Sequence, residues 1–302
     1  MAAKRFAAYA WFVLAFSLAV IVWGALVRAT RSGAGCGENW PLCNGQVVPS
    51  APVLSTIIEF THRVTSGPVL GVFILILVIA AFRVFPSGHV VRRMASLSVL
   101  LTVTEALIGA ALVRLGHVAN NSSGWRGVTL SIHLTNTLLL LAVLALTAWL
   151  ATHAPPTRPF QAWAALAGLL LLSVTGAIAA LGDTLYATQS LAEGLHRDFA
   201  ADAPFFVRLR IVHPILALAV GGWLIAIAGR AVLSESSLLA KRLGRALLAL
   251  TIGQIAIGAA NLLLLNPLWI QLLHLLVADL VWITAVLLST EPRAQEGGHS
   301  YA

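Results

Sequence analysis

Four histidines lie inside long apolar segments of the chain, where ionisable side chains are rare. They are His62, His133, His213 and His274. An ionisable group at membrane depth costs about a few kcal/mol and by default marks a functional site. A neutral imidazole binds iron well, and two imidazoles on neighbouring helices can fill both axial positions of a haem. The pattern predicts two haem sites, one histidine pair in each half; histidines hydrogen-bonded to carbonyls or to one another are the alternative.

A charged residue stands three positions before the first histidine of each pair, and its sign differs between the halves. The first half reads EFTHR from Glu59, whereas the second reads RIVHP from Arg210. Residues three apart on a helix share a face, so each charge lies beside its histidine. We expect Arg210, with Arg208, to pair with haem propionates. We expect Glu59 to do acid–base chemistry at another edge of the ring; a structural ion pair between Glu59 and Arg63 is the alternative.

The elements that must position these side chains are membrane helices. Hydrophobic residues make up 59% of the 302-residue chain, charged residues 10%, and the mean hydropathy is +0.90. These values are far from the balance of soluble proteins and predict an all-α integral membrane protein. Eight apolar segments are each long enough, at about 20 residues, to cross a bilayer. They lie near residues 7–28, 57–82, 94–115, 128–151, 161–182, 206–229, 243–265 and 268–290.

Basic residues in the connections give the expected orientation. Eleven of the 19 Lys and Arg residues fall in segments that are cytoplasmic if the N-terminus is inside, which predicts N-in and C-in. The four histidines then lie near the outer ends of the even-numbered helices, at one depth.

The net charge of +8 indicates basic loops at an anionic membrane face rather than nucleic-acid binding. Without an Arg- and Ser-rich transit peptide, the expected location is a bacterial plasma membrane, with lipid as the surrounding partner.

The two halves of the chain contain a weak internal repeat. WGA at 23–25 corresponds to TGA at 175–177, and IGAALV at 108–113 corresponds to IGAANL at 257–262. The ordered matches, together with the histidine pairs, predict two tandem four-helix bundles of the same orientation. Glu105 and its counterpart Gln254, just before the IGAA motifs, are expected to hydrogen-bond across helix interfaces.

The repeat also divides the chain into domains. Residues 1–152 are the expected N-terminal bundle and residues 160–302 the C-terminal bundle. The proline-containing segment HAPPTRP, residues 153–159, is the expected cytoplasmic linker, because its prolines cannot continue a helix.

Both cysteines of the chain, Cys36 and Cys43, fall in the first outer loop. A pair that flanks a Pro-containing turn in an oxidising compartment predicts a local disulfide. Two free thiols are the alternative. A metal site is less favoured, because Glu38 is the one further ligand candidate in that loop.

Taken together, the chain resembles the haem A synthase family over nearly its whole length. The resemblance rests on eight helices in two similar halves, the loop GCGENWPLCNGQ, the EFTHR run from Glu59, and the later histidines. It implies oxidation of a ring methyl of haem O to a formyl, giving haem A for terminal oxidases. It further implies that His62 and His133 ligate the substrate porphyrin and that Glu59 is the essential carboxylate.

For the second half, the resemblance implies that His213 and His274 ligate a haem b that passes electrons. It also implies a Cys36–Cys43 disulfide, as in one bacterial branch of the family. Some members carry a second cysteine pair in the third outer loop, but residues 183–204 contain none. The expected partners are haem O, a haem O synthase and a membrane electron acceptor, and a homo-oligomer is left open.

Three other functional classes compete with this interpretation. A dihaem b-type electron-transfer cytochrome explains the four histidines equally well, but not why Glu59 and Arg210 differ. A haem-free transporter with a duplicated core would bind no pigment. A prenyltransferase that makes haem O would be expected to carry Asp-rich helix-end motifs for pyrophosphate and magnesium, which we do not find in the sequence.

Overall fold

The computed structural model describes residues 1–154, 163–234 and 237–291, and within them eight helices are long and apolar enough to cross a membrane. The eight are α1 Ala2–Ala29, α2 Leu54–Val84, α3 Val90–Arg114, α4 Gly124–Trp149, α5 Trp163–Leu185, α6 Phe205–Leu233, α7 Leu238–Leu263 and α8 Leu268–Ser289. A short helix, Leu191–Asp198, lies in the loop between α5 and α6. The predicted all-α membrane architecture is confirmed. Most of the predicted linker lies outside the described residues.

Several helices extend beyond the apolar segments that predicted them. α1 begins at Ala2 rather than at residue 7, and α3 begins at Val90 rather than at residue 94. Hydropathy detects only the part of a helix that matches the hydrocarbon core, whereas backbone hydrogen bonding continues through the polar ends. At the start of α4 and α7, the side chains of Ser123 and Ser237 accept hydrogen bonds from backbone N–H groups of the first turn.

The two helices that carry a charged residue before a histidine are both irregular near that histidine. In α2, residues Thr65–Val69 form a π turn that contains Pro68. The hydroxyl of Ser66 donates to the carbonyl of His62 at 2.6 Å there. In α6, regular helix ends at Leu209 and resumes at Val212. Proline has no backbone N–H, so the carbonyl that would have bonded to it must find another donor nearby. The helix therefore departs from regular α geometry close to its histidine.

Helices pack in the same order in both halves. In the first half, α1 and α3 each contact both α2 and α4; in the second, α5 and α7 each contact both α6 and α8. The halves meet along α1, α4, α5 and α8. α8 and α4 are the most enclosed of these eight helices. The common ancestry of the halves, their assignment as domains and the N-in orientation stay predictions.

Arg28 joins the two halves at the end of α1. Its Nη1 donates to the carbonyl of Ala180 at 2.8 Å and to the hydroxyl of Thr184 at 2.6 Å. Its Nη2 donates to Oε1 of Gln271 in α8 at 3.2 Å. One guanidinium thus connects three helices from both halves, and its planar fork of donors suits it to that task.

Replacing Arg28 by Met is therefore expected to destabilise the protein by about 2 kcal/mol, because three hydrogen bonds from a charged donor are lost. We expect the midpoint of thermal unfolding in detergent to fall by several degrees. Arg83→Met is the matched control, since Arg83 is exposed on α2. Equal midpoints for the two variants would show that Arg28 does not stabilise the contact between the halves.

Candidate active site

Each of the four predicted histidines packs against a glycine of the preceding spanning helix. A Cβ atom added at Gly24, Gly176 or Gly258 would lie 2.9 Å from a ring carbon of the facing histidine, closer than real Cβ atoms approach. The pairs are Gly24 with His62, Gly176 with His213, Gly258 with His274 and, more loosely at 3.8 Å, Gly109 with His133. These glycines belong to the WGA, TGA and IGAA repeats. The repeat therefore reflects a contact: the absence of a side chain lets an imidazole approach the neighbouring backbone closely.

The two histidines of the second half are neighbours in space. The ring centroids of His213 and His274 are 6.4 Å apart and the ring planes are nearly perpendicular, at 88°. A nitrogen ligand lies about 2.0 Å from such a metal and the imidazole centroid about 1.1 Å behind the nitrogen, so opposed imidazoles on one iron have centroids about 6.3 Å apart. The observed spacing fits one haem iron between the two rings.

Hydrogen bonding at His213 also fits a metal ligand. The hydroxyl of Thr175 donates to the carbonyl of Leu172 at 2.8 Å, and the same oxygen lies 3.3 Å from Nδ1 of His213. With its single hydrogen directed at Leu172, the hydroxyl accepts from the imidazole in the tautomer whose ring proton is on Nδ1. Nε2 of His213 then carries a free lone pair, as an axial ligand requires.

Several ring nitrogens at these positions are buried without a protein partner. Among the described residues, Nδ1 of His62, His133 and His274 has no hydrogen-bond partner. Buried polar atoms are nearly always satisfied, so these three unpaired nitrogens set the rings apart from ordinary buried polar groups. The spacing of His213 and His274 thus fits a haem in the second half, whereas the haem site of His62 and His133 stays a prediction. No cluster of three or more metal-ligating side chains occurs in the described part of the chain.

Glu59 is buried, with 3% of its surface exposed, and both carboxylate oxygens accept hydrogen bonds. Oε1 accepts from Nε and Nη2 of Arg63, at 3.0 and 2.5 Å. Oε2 accepts from the backbone N–H of Cys36 at 2.8 Å. The ion pair with Arg63, weighed above as the alternative, is present. It does not by itself decide between a structural and a chemical role, since the same contacts hold the carboxylate in a defined position beside His62.

Cys36 and Cys43 form the predicted disulfide. The small loop that it closes is held by backbone hydrogen bonds, including Asn44 N–H to the Cys36 carbonyl at 2.9 Å. Gly35 packs so tightly on α2 that an added Cβ would lie 2.5 Å from the Ser55 carbonyl. The sequence predicted the disulfide but not that the Cys36 amide binds Glu59. The residue type of Cys36 gives no indication that its backbone N–H donates to Glu59.

Arg210 is bound by two carboxylates of its own chain. Nη1 lies 2.9 Å from Oδ1 of Asp183, and Nε and Nη2 lie 3.0 and 2.5 Å from Oδ1 of Asp198. Arg208 donates to the carbonyl of Ala201. Most donors of Arg210 are therefore engaged within the protein. Its predicted pairing with haem propionates stays a prediction, which must now compete with these two ion pairs.

The second histidine of each pair has a polar neighbour on the preceding helix. Nδ1 of His133 lies 3.3 Å from Oε1 of Glu105, an approach within ion-pair distance but off the line of a regular hydrogen bond. In the second half, Nε2 of Gln254 lies 3.3 Å from Nε2 of His274. The predicted cross-helix contacts of Glu105 and Gln254 are thus present, and each is directed at a histidine.

Comparison with known proteins identifies the chain's relatives. Residues 7–55 and 52–286 match the family COX15-CtaA, described as cytochrome oxidase assembly protein. A protein named protoheme IX farnesyltransferase from Thermus thermophilus is 44% identical over 294 residues, which are 95% of this chain and 48% of that protein. The chain therefore spans about half the length of that relative.

Shorter matches connect the chain to proteins named heme A synthase. The one from Halalkalibacterium halodurans is 45% identical over 97 residues, 32% of each chain. The one from Bacillus mycoides is 44% identical over 101 residues, 33% of this chain and 32% of that protein. Eight apolar helices and this family membership describe a multi-pass bacterial membrane protein. With nearly all of its length matched by one family model, the chain belongs to the COX15-CtaA family of cytochrome oxidase assembly proteins.

Proposed function

We propose that the protein is a haem A synthase, which oxidises a ring methyl of haem O to a formyl to give haem A. The observation that carries the proposal is the asymmetry of two otherwise similar sites. A buried carboxylate, Glu59, lies one helical turn before His62, whereas Arg210 holds the same position before His213. Two electron-carrying haems alone would not need this difference. The relatives named heme A synthase support the same conclusion.

In this proposal, His62 and His133 hold the substrate porphyrin in the first half. When bound, the porphyrin iron supplies the oxidising chemistry; the protein supplies position and proton transfer. Gly24 lets the His62 ring approach α1, which fixes its orientation. The surrounding helices exclude water from the apolar ring.

Glu59 is the proton-handling group. An ionised carboxylate has about four lone-pair sites, and the hydrogen bonds from Arg63 and Cys36 occupy three of them. The remaining site can accept a proton from water or stabilise positive charge at the carbon being oxidised. Because Arg63 also donates to the carbonyls of Asn39 and Leu42, at 2.6 and 2.9 Å, the carboxylate is fixed to the disulfide loop.

His213 and His274 hold a haem b that passes electrons. Their 6.4 Å centroid separation and the Thr175 contact to Nδ1 of His213 support this part of the proposal. The proposal also includes a haem O synthase that supplies the substrate and a membrane electron acceptor. A homo-oligomer is a further part of it.

Prenyl transfer is the second candidate function, favoured by the name of the Thermus relative. That activity can reside in the 52% of the relative that the match does not cover. Transfer from a prenyl diphosphate needs carboxylates free to bind magnesium. Asp198 and Asp202, four residues apart, are the two nearest aspartates in the sequence, and Asp198 is engaged by Arg210. This arrangement favours oxidation over prenyl transfer.

Expression with and without a supply of haem O tests the proposal, with extracted haems identified by chromatography and pyridine haemochrome spectra. We expect haem A to appear only when haem O is supplied. Two haem b and no haem A under both conditions would indicate an electron carrier. Haem O formed from haem b and farnesyl diphosphate would indicate a prenyltransferase, and the absence of Soret absorbance a haem-free protein.

A further inference from the structure

The carboxylate of Glu105 approaches His133 at the centre of a polar network between α3 and α4. Oε1 lies 3.3 Å from Nδ1 of His133 and also accepts from the hydroxyl of Thr137. Oε2 accepts from Nδ2 of Asn136 at 2.5 Å. Both carboxylate oxygens thus face polar groups of α4.

The rest of the network holds Asn136 in place. Its Nδ2 also donates to the carbonyl of Leu101 at 2.9 Å, and its Oδ1 accepts from Thr104 at 2.7 Å. With both ends of the amide engaged, Asn136 cannot turn away from Glu105. The carboxylate is therefore directed at the imidazole by a chain of hydrogen bonds that begins on the backbone of α3.

The second half has the same framework without the charge. Glu105 and Gln254 each stand four residues before the glycine that packs on the histidine, Gly109 or Gly258. Gln254 lies 3.3 Å from a ring nitrogen of His274. Gln254 approaches Nε2 of His274 whereas Glu105 approaches Nδ1 of His133, so the second half has a neutral amide at a different ring nitrogen and no negative charge beside its histidine.

A negative charge held 3.3 Å from a metal-ligating imidazole makes that ligand more electron-donating, even without an aligned hydrogen bond. A more electron-donating axial ligand stabilises oxidised iron, and hydrogen bonding around the ligands is one of the means by which proteins set a haem potential. A neutral amide has no comparable effect.

We propose that Glu105 is a positioning residue that makes His133 a more electron-donating ligand than His274, so that the haem of the first half has the lower reduction potential. The inference rests on the proposed haem sites. The difference in potential would set the direction of electron transfer. One electron would pass from the iron beside His133, which is oxidised, to the iron beside His274, which is reduced. The Glu105–Gln254 difference is thus a second asymmetry, separate from the one at Glu59.

Potentiometric titration of the purified, haem-loaded protein, followed by Soret absorbance, tests the inference. Variants His133→Ala and His274→Ala assign the two components of the wild-type curve. Glu105→Gln, which gives the first half the residue of the second, is expected to shift the first-half potential upward. Gln254→Glu is expected to shift the second-half potential downward. Each change should also alter the low-spin ferric EPR g values of that haem alone.

Thr102→Val is the structural control, because the Thr102 hydroxyl donates to the carbonyl of Ser98 within α3 and lies outside the network of Glu105; we expect unchanged potentials. Bound haem in Glu105→Gln with a wild-type potential would overturn the inference while leaving the proposed function intact. An equal shift in Thr102→Val would also overturn it, because that shift would indicate a general loosening of α3. A wild-type protein without haem in the first half would instead overturn the two-haem proposal itself.

Discussion

Glu59→Gln is expected to lower the rate of haem A formation by about 100-fold or more, the usual size of a general acid–base contribution. Haem content should stay close to wild type, because the imidazoles of His62 and His133 are untouched. Glutamine has nearly the same shape but cannot take up a proton at this site. Formation of haem A in membranes with a fixed supply of haem O, measured by chromatography of extracted haems, gives the rate.

Arg63→Gln is the matched control, since it breaks the ion pair at 2.5 Å and keeps the carboxylate. We expect it to retain more activity than Glu59→Gln. Haem A formation at the wild-type rate in Glu59→Gln would contradict the catalytic assignment. Equal losses in the two variants, with haem still bound, would favour a purely structural ion pair.

Alanine at Gly24 or Gly258 is expected to lower haem occupancy of one half by about 10-fold, since overpacking costs about 1–3 kcal/mol. The new Cβ would lie 2.9 Å from the ring of His62 or His274, and the ring must leave its position on the neighbouring helix. Gly24→Ala should reduce haem binding in the first half and Gly258→Ala in the second. Haem per protein and the two components of the redox titration separate these outcomes.

Two other glycines serve as controls for that series. At Gly109 the added Cβ would lie 3.8 Å from His133, an ordinary contact, and at Gly253 it would meet nothing within 4 Å. We expect Gly109→Ala and Gly253→Ala to bind haem as the wild type does. If Gly24→Ala also binds haem normally, the glycine contact does not position His62.

Much of this architecture could be predicted because membrane burial restricts the choices. Apolar length alone identified the eight helices, and the cost of a buried imidazole singled out His62, His133, His213 and His274. The disulfide followed from the isolation of Cys36 and Cys43 in one loop. In each case a strong energetic constraint acts on residue type, so the sequence carries the signal directly.

Contacts made by backbone or by small residues were harder to foresee. The repeated glycines were visible, yet their partners depend on which helices become neighbours. The hydrogen bond from the Cys36 amide to Glu59 involves an atom that every residue but proline has. Arg210 was expected to bind an external anion, but in the structure its guanidinium forms ion pairs with Asp183 and Asp198 of the same chain. Such choices are settled by tertiary packing.

α4 and α8, the two most enclosed helices, pack against each other, and the indole N–H of Trp282 donates to the carbonyl of Leu138 across that contact at 2.7 Å. One histidine of each pair, His133 and His274, stands on these two helices. The spacing between the two proposed irons is therefore set by a helix–helix contact rather than by a loop. Because one ligand of each proposed site stands on this contact, a shift of α4 against α8 would move both sites together.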